Sequence, residues 1–422
     1  MSKTRKNHYV PEWHQKGFLS NDKNQLLYLT LEARHYQRAD GTTKIHYQKT
    51  WCAPSQCFYQ TDLYTTFFEG HSNDEIERKL FGPIDDAGSV AVRAFAVDDQ
   101  LQMQKSFEEL FSYLDAQKLR TPKGLCWIKN HYPKLKHIGL MTEMQAIRKL
   151  HCTLWAEGVH EIVSCTDSCV KFIISDHPVT IYNYACPPES ELCNEISDPD
   201  IALKASQTIY PLDKDHLLIL TNLEYAQDPV GTNPTEQRTN PTKVRQTIVR
   251  TDSVIRTRSL NNEDVQKINL IIKSRAKKFI GAGKDEWLYP EVAIKCEWAD
   301  LRSVLIPPRD KVPNPGGKTY VRYEDGSTHY QDEFGRTSHL NSYLNKQSDK
   351  HKIGRNDFCG CGSGNKFKSC CRPIPTELRT TWKVLSIRER NLALYSAIYD
   401  ILGLNYKTST NLAGSRQLTW PV

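Results

Sequence analysis

"ASQTIYPLDKDHLLILTN", residues 205–222, is the stretch on which the fold class turns. Apolar and β-branched residues flank Asp213, Lys214 and Asp215, so the segment reads as a strand, a turn and a second strand, with no helix between them. Just upstream, "VKFIISDHPVTIYNY" (170–184) is another apolar, β-branched run, broken at Ser175, Asp176, His177 and Pro178. Helical patterning is gathered elsewhere. The block from Asn73 to Pro122 predicts helix over about 74–118, with charges opposite apolar positions and Pro122 as its stop. "LMTEMQAIRKLHCTLWAEG" (140–158) predicts a second helix that ends at Gly158. A third starts at Asn261 and Asn262 and carries Val265, Ile268, Ile272, Ala276 and Phe279 along one face. Helices in blocks, and strands in blocks, favour an α+β fold over a doubly wound parallel sheet, with residues 1–306 as one large mixed domain.

Composition narrows the class. With 422 residues, 39% of them hydrophobic and 10% aromatic, the chain can bury a core and is not a disordered protein. No apolar run approaches the roughly 20 residues that span a bilayer, and the opening "MSKTRKNHYVPEWHQKGF" has no apolar stretch suited to a secretory signal. The expectation is therefore a cytoplasmic protein with no membrane partner. A net charge of +7 permits a polyanionic partner without demanding one. P-loop, nucleophile-elbow, zincin and dinucleotide-binding signatures are absent, and "HEIVSC" (160–165) lacks the second histidine of a zincin helix.

Beyond residue 306 the character changes. Residues 307–350 are rich in Pro, Gly and polar side chains and read as a linker carrying one hairpin. Residues 351–373 hold a cysteine cluster, and 374–422 form a helical tail in which 376–402 has one apolar and one polar face. That helix either folds back on the main domain or meets a partner.

Thirteen cysteines in a reducing compartment are thiols, so clustered ones read as metal ligands before disulfides. Nine are scattered from Cys52 to Cys296 and read as small hydrophobes. The other four, Cys359, Cys361, Cys370 and Cys371, form C-x-C followed by C-C. Four sulfurs on two short knuckles can close a tetrahedron around one structural Zn2+, and glycines at 360, 362 and 364 let the first knuckle turn tightly. The competing reading is a redox pair, but adjacent cysteines bond to each other only in a strained ring. Over 351–372, Lys352, Arg355, Lys366, Lys368 and Arg372 face only Asp357, so the zinc-loaded knob keeps a positive charge suited to phosphate or to an acidic protein surface.

"GRNDFCGCGSGNKFKSCC" (354–371) closely resembles the SEC-C motif, the zinc-binding tail of the bacterial preprotein translocase motor. The resemblance implies zinc on Cys359, Cys361, Cys370 and Cys371, and contact with a partner such as a chaperone or the ribosome. Phe358 and Gly360 stand where prolines are usual, and neither is a ligand position. The remainder resembles the bacterial domain of unknown function DUF4238. The residues that carry this are "NHYVPEWHQKGFLS" (7–20), "CFYQTDLYT" (57–65), "LRTP" (119–122), "FIISDHPVTI" (172–181), "IYPLDKDHLLIL" (209–220) and "INLIIKSRAKKFI" (268–280). In that pattern His177 takes the place of the usual asparagine of S-D-N-P. No activity is implied by membership.

Candidate catalytic residues are His8 in an extended N-terminal segment, Asp176 and His177 at a strand end, and Arg120 at a helix end. An acid, a base and a cation meeting in one pocket would suit phosphodiester or other hydrolytic chemistry. Each has a structural alternative: a backbone donor, a turn cap, a core ion pair. Two functions therefore stay open. One is a binding protein whose zinc knuckle engages nucleic acid, the ribosome or a protein; the other is a hydrolase acting on nucleic acid, with roles in stress or phage defence by analogy with its family's company.

Overall fold

The computed structural model describes residues 6–37, 43–64, 81–135, 137–193, 198–238, 254–312, 319–322, 328–331, 353–357, 359 and 365–373. The chain divides into two compact units, 1–341 and 342–422. In chain order the described elements of the first unit are β1 (Lys6–His8), α1 (Glu12–Gln15), β2 (Leu26–Gln37), β3 (Thr43–Cys52), β4 (Tyr59–Thr61), α2 (Gly82–Val97), α3 (Gln100–Lys105), α4 (Phe107–Leu119), α5 (Pro122–His131), α6 (His137–Ala156), β5 (Val159–Ser164), β6 (Ile174–Ser175), β7 (Thr180–Tyr182), β8 (Gln207–Pro211), β9 (His216–Thr221), α7 (Leu223–Gln227), β10 (Val254–Ile255), α8 (Asn262–Arg275), β11 (Phe279–Ala282), α9 (Pro290–Ala293), β12 (Thr319–Arg322) and β13 (Thr328–Gln331). The class is α+β.

The hairpin β8–β9 is the centre of a five-stranded sheet of order β10-β5-β9-β8-β7, with Ile209 opposite Ile219 and Tyr210 opposite Leu218. Neighbouring strands run antiparallel except β10 with β5. Period-two alternation sends the two faces into two cores. Ile209, Leu217 and Ile219 join a cluster with Ile268, Ile271 and Ile272 of α8. Tyr210, Leu218 and Leu220 join another with Phe95 of α2, Phe111 and Leu114 of α4, and Leu154 and Trp155 of α6. A second, four-stranded antiparallel sheet, β3-β2-β11-β6, lies within the first core cluster through Leu27, Leu29, Ile174 and Ile280. A sheet covered on both faces needs apolar residues at successive positions, and for that reason "HLLILT" carries no polar residue between His216 and Thr221.

Two expectations from the pattern change in detail. The helical run before Pro122 is three helices, because Asp98 adopts φ 61° and donates its N–H to Ala94 O, and Asp99 then caps α3 by accepting from the Gln102 N–H. Pro122 does end α4, but it also stands at the first position of α5, behind Thr121, whose side chain accepts the Gly124 N–H. Tight packing of this corner requires glycine at 124, where a Cβ would lie 2.2 Å from Lys118 O. Phe279, placed on the face of α8 by its spacing, belongs instead to β11: α8 ends when Ala276 turns to extended backbone. Asn261 caps α8 as the asparagine pair suggested, accepting the Asp264 N–H.

β12 and β13 pair antiparallel as one hairpin within 307–350. The amphipathic stretch 376–402, residues 74–80 of the first helical block and Cys361 lie outside the described residues. No described helix is long and apolar enough to cross a membrane.

Candidate functional site

The second unit contains a thiol cluster built almost wholly from local geometry. Gly354 and Asp357 close a turn on each other, the Gly354 N–H donating to Asp357 Oδ2 at 2.7 Å and the Asp357 N–H to Gly354 O at 3.1 Å. The Phe367 N–H then reaches Asp357 O (2.8 Å) and the Cys359 N–H reaches Asn365 O (2.7 Å), strapping the two knuckles together. Phe367 begins a short 3-10 turn, Phe367–Ser369, and packs with Ile353, Cys359, Cys370 and Cys371 in a small apolar cluster. The sulfurs of Cys359, Cys370 and Cys371 consequently converge, all within 4.8 Å of one another. The Cys370 and Cys371 sulfurs are 3.9 Å apart. Sulfurs at tetrahedral corners about 2.3 Å from Zn2+ are separated by about 3.8 Å, so the three thiols fit a metal ion and are too far apart for a disulfide. Cys361 lies outside the described residues.

A second candidate site lies in the first unit, where a cavity of about 580 Å³ opens between α4, α5, α6 and the segment 198–201. His177 forms part of its floor, fully buried after β6. Its Nε2 is 2.9 Å from Asp198 Oδ2 and its Nδ1 is 2.8 Å from Thr121 Oγ1. An ionised carboxylate only accepts, which places the ring proton on Nε2, and in the neutral ring Nδ1 accepts from the Thr121 hydroxyl. Burial lowers the pKa of His177 to about 4 against the pull of Asp198, so the ring is neutral at pH 7. Burial alone would raise Asp198, yet Lys118 at 2.9 Å and Lys123 at 2.5 Å hold its carboxyl well below the usual range. The Lys123 ammonium, lowered by burial, also donates to Arg275 O at 2.9 Å.

Asp198, His177 and Thr121 form a relay of an acid, an imidazole and a hydroxyl. The hydroxyl is not a nucleophile. Thr121 is wholly buried, and its oxygen already accepts the N–H that starts α5, so it orients His177. On another wall of the cavity, His151 of α6 places Nδ1 2.8 Å from Asp115 Oδ1, while Arg148 Nε donates to Asp115 Oδ2 at 3.1 Å. A carboxylate that fixes Nδ1–H leaves Nε2 as the ring's other functional atom, the arrangement of an acid–base histidine.

The structure gives the other predicted residues separate places. Arg120 is buried beside Tyr113 and Phe81, with Nη1 on Asp85 at 2.7 and 2.8 Å and Nε on Gln117 at 2.9 Å. The Asp176 carboxylate accepts three backbone N–H groups, from Lys277, Lys278 and Phe279, at 2.8, 2.7 and 3.0 Å. It thereby ties β6 to β11, and burial raises its pKa against those three bonds. His8 sits in β1 with Nε2 3.7 Å from Glu12 and its ring 5.7 Å from that of Tyr59. None of these three lines the cavity; His177 does. Asp115, Lys118, Lys123, His151 and Asp198 were not singled out from sequence. The signal was present for two of them: Asp115 follows Phe111 by four positions and His151 precedes Trp155 by four, so each puts a titratable group on an apolar helix face.

Comparison with known proteins adds the following. The Protein translocase subunit SecA of Elusimicrobium minutum (strain Pei191) is 57% identical over 37 residues, which is 9% of this chain and 4% of that protein. No solved structure matches. The family described as "Protein of unknown function (DUF4238)" matches residues 6–286, a span that takes in both sheets and the cavity. Since that match covers well over half of its length, the chain belongs to the DUF4238 family.

Proposed function

We propose that this is a zinc-carrying binding protein: one structural Zn2+ held by Cys359, Cys361, Cys370 and Cys371 stiffens a basic knuckle that docks on an anionic surface of nucleic acid, of the ribosome or of a protein. The convergence of the Cys359, Cys370 and Cys371 sulfurs within 4.8 Å carries the reading. Its support is threefold. Sulfur donors at that spacing suit a closed tetrahedral site, in which a fourth thiolate leaves no position for water and hence no metal-bound nucleophile. Arg355, Lys366, Lys368 and Arg372 are exposed around the cluster. The short match to a translocase subunit is in keeping with the SEC-C resemblance of residues 354–371. When bound, the ion would supply rigidity, because a tetrahedral thiolate site contributes folding free energy to a segment with a very small apolar core.

Elemental analysis of the purified full chain tests the metal, with one zinc per chain expected and loss of most of it in Cys370→Ser. A zinc-free native protein would overturn the reading. For the docking role, capture of an RNA or protein partner should be lost in Lys366→Glu/Lys368→Glu with zinc retained. A capture that falls steeply between low and physiological salt identifies a polyanion, and a flat response identifies a protein surface.

A further inference from the structure

Two of the scattered cysteines are placed for more than packing. Cys186 and Cys193 are both buried, carry no disulfide, and meet in a small cluster with Leu203. Successive turns bring them together: the Cys186 N–H donates to Asn183 O, the Ser190 N–H to Pro187 O and the Cys193 N–H to Ser190 O. Cys193 Sγ consequently lies 3.7 Å from Cys186 O, and the two thiols are hydrogen-bonded to each other. Arg275 Nη2 donates to that same carbonyl, so the guanidinium and the Cys193 sulfur are neighbours on one oxygen. Trp298 holds the arginine there, with the guanidinium carbon 4.9 Å from its ring centre. The Arg275 Nε–H is buried and has no acceptor among the described residues.

These surroundings favour a thiolate on Cys193. A buried N–H without an acceptor is costly, and a thiolate accepts from it better than a thiol does. The hydrogen bond from Cys186, and after it the charge of Arg275, lower the Cys193 pKa against its burial. The same hydrogen bond raises Cys186, which keeps its proton. One sulfur is therefore the nucleophile, and the other, a hydrogen bond away, can resolve whatever forms on it. Leu192, the residue before Cys193, is exposed and lines the cavity, which brings the sulfur within one residue of solvent. A second close pair, Cys52 and Cys57, lacks these features: burial raises both thiols, and no described cation acts on either.

We propose that Cys186 and Cys193 form a peroxide-responsive dithiol, oxidised reversibly to a disulfide that ties down the loop bearing Leu192 at the cavity wall. The Cys193 thiolate attacks one oxygen of hydrogen peroxide: an S–O bond forms, the O–O bond breaks, and the departing hydroxide takes up a proton and leaves as water. The Cys186 sulfur then displaces the hydroxyl of the sulfenic acid, forming the S–S bond and releasing a second water that carries off the Cys186 proton. Two electrons pass from the sulfurs to the peroxide, and a small dithiol reductant returns them by exchange.

The test is peroxide treatment of the full chain, alkylation of the remaining thiols under denaturing conditions, and peptide mass spectrometry. The peptide carrying Cys186 and Cys193 should lose two hydrogens and escape alkylation, at least about tenfold faster than the peptide carrying Cys52 and Cys57, and recover both thiols with dithiothreitol. Cys186→Ser should stop at a sulfenic acid on Cys193 that dimedone traps, and Arg275→Gln should slow the oxidation several-fold. Undiminished alkylation of Cys186 and Cys193 after peroxide, or oxidation no faster than at Cys52 and Cys57, overturns the proposal. Both readings are taken on the wild-type chain and decide even where a variant fails to fold.

Discussion

Replacing His177 by asparagine, the residue usual at this point of the S-D-N-P pattern, isolates a buried titratable group of the cavity. His177 is fully buried and its pKa is lowered to about 4, by burial first, from an ordinary value near 6.5. A histidine lowered in this way binds a proton in the unfolded chain before it does in the folded one. Between pH 6.5 and pH 4 the unfolded state therefore carries more protons, and stability rises with pH across that window. The contribution is complete above about pH 6.5 and is lost as pH falls towards 4. One such group is worth about 1.4 kcal/mol per pH unit inside the window, or about 2 kcal/mol between pH 8 and pH 5. His14 behaves alike, buried against Tyr210 and lowered to about 4 by burial in spite of its 2.8 Å bond to Pro211 O. The two rings together should thus contribute a loss of about 4 kcal/mol between pH 8 and pH 5, against which His216, raised by its hydrogen bond to Asp213, works in the opposite sense. Urea unfolding followed by tryptophan fluorescence at half-unit pH steps measures the slope. His177→Asn should lower the loss between pH 8 and pH 5 by about 2 kcal/mol, and His14→Gln by a similar amount. An unaltered slope in His177→Asn would refute a neutral, buried ring at this position.

Asp198→Asn should cost about 3–5 kcal/mol, because it leaves the Lys118 and Lys123 ammonium groups without their carboxylate; thermal unfolding at pH 7 checks this. Asp176→Asn sets an amide NH2 against backbone donors that now meet carboxylate oxygens, and a loss of about 1–3 kcal/mol is expected, with faster amide exchange at Lys277, Lys278 and Phe279. Gly124→Ala drives a methyl group to 2.2 Å from Lys118 O, so the α4–α5 corner must open, and a fall in melting temperature of several degrees is expected in a thermal unfolding scan.

These predictions share one physical origin. The first unit buries ionisable groups in pairs and larger sets: Asp115 with Arg148 and His151, Asp85 with Arg120, Asp198 with two lysines. Most of these sets are closed, each charge meeting its counterpart inside the protein, and they read as scaffold. Arg120 and Asp176 belong here: one is a core ion pair, the other a backbone clamp between two strands of the smaller sheet. The cavity differs in being open, with two histidines on its walls, His177 and His151, each held by a carboxylate, which separates a functional candidate from structural ion pairing.

Much could be read from the amino-acid order, and the pattern of success is physical. The β8–β9 hairpin, the Asn261 cap, the helix start and stop around Pro122, and the thiol cluster are all made by residues within about a dozen positions of each other, where periodicity, capping and ligand spacing act directly. The neighbours in the cavity are not of that kind. Asp115 meets His151 across 36 positions and Lys123 meets Asp198 across 75. Those meetings follow from how α4, α5 and α6 are laid against the five-stranded sheet, a matter of close packing between surfaces that no local period encodes. The sequence by itself determined the α+β class and the sulfur cluster, because both follow from short-range chemistry. Only the tertiary structure decided that His177 faces a cavity while Asp176, its neighbour, is spent on the backbone, because adjacent side chains at a strand end point to opposite sides and packing chooses which side is open.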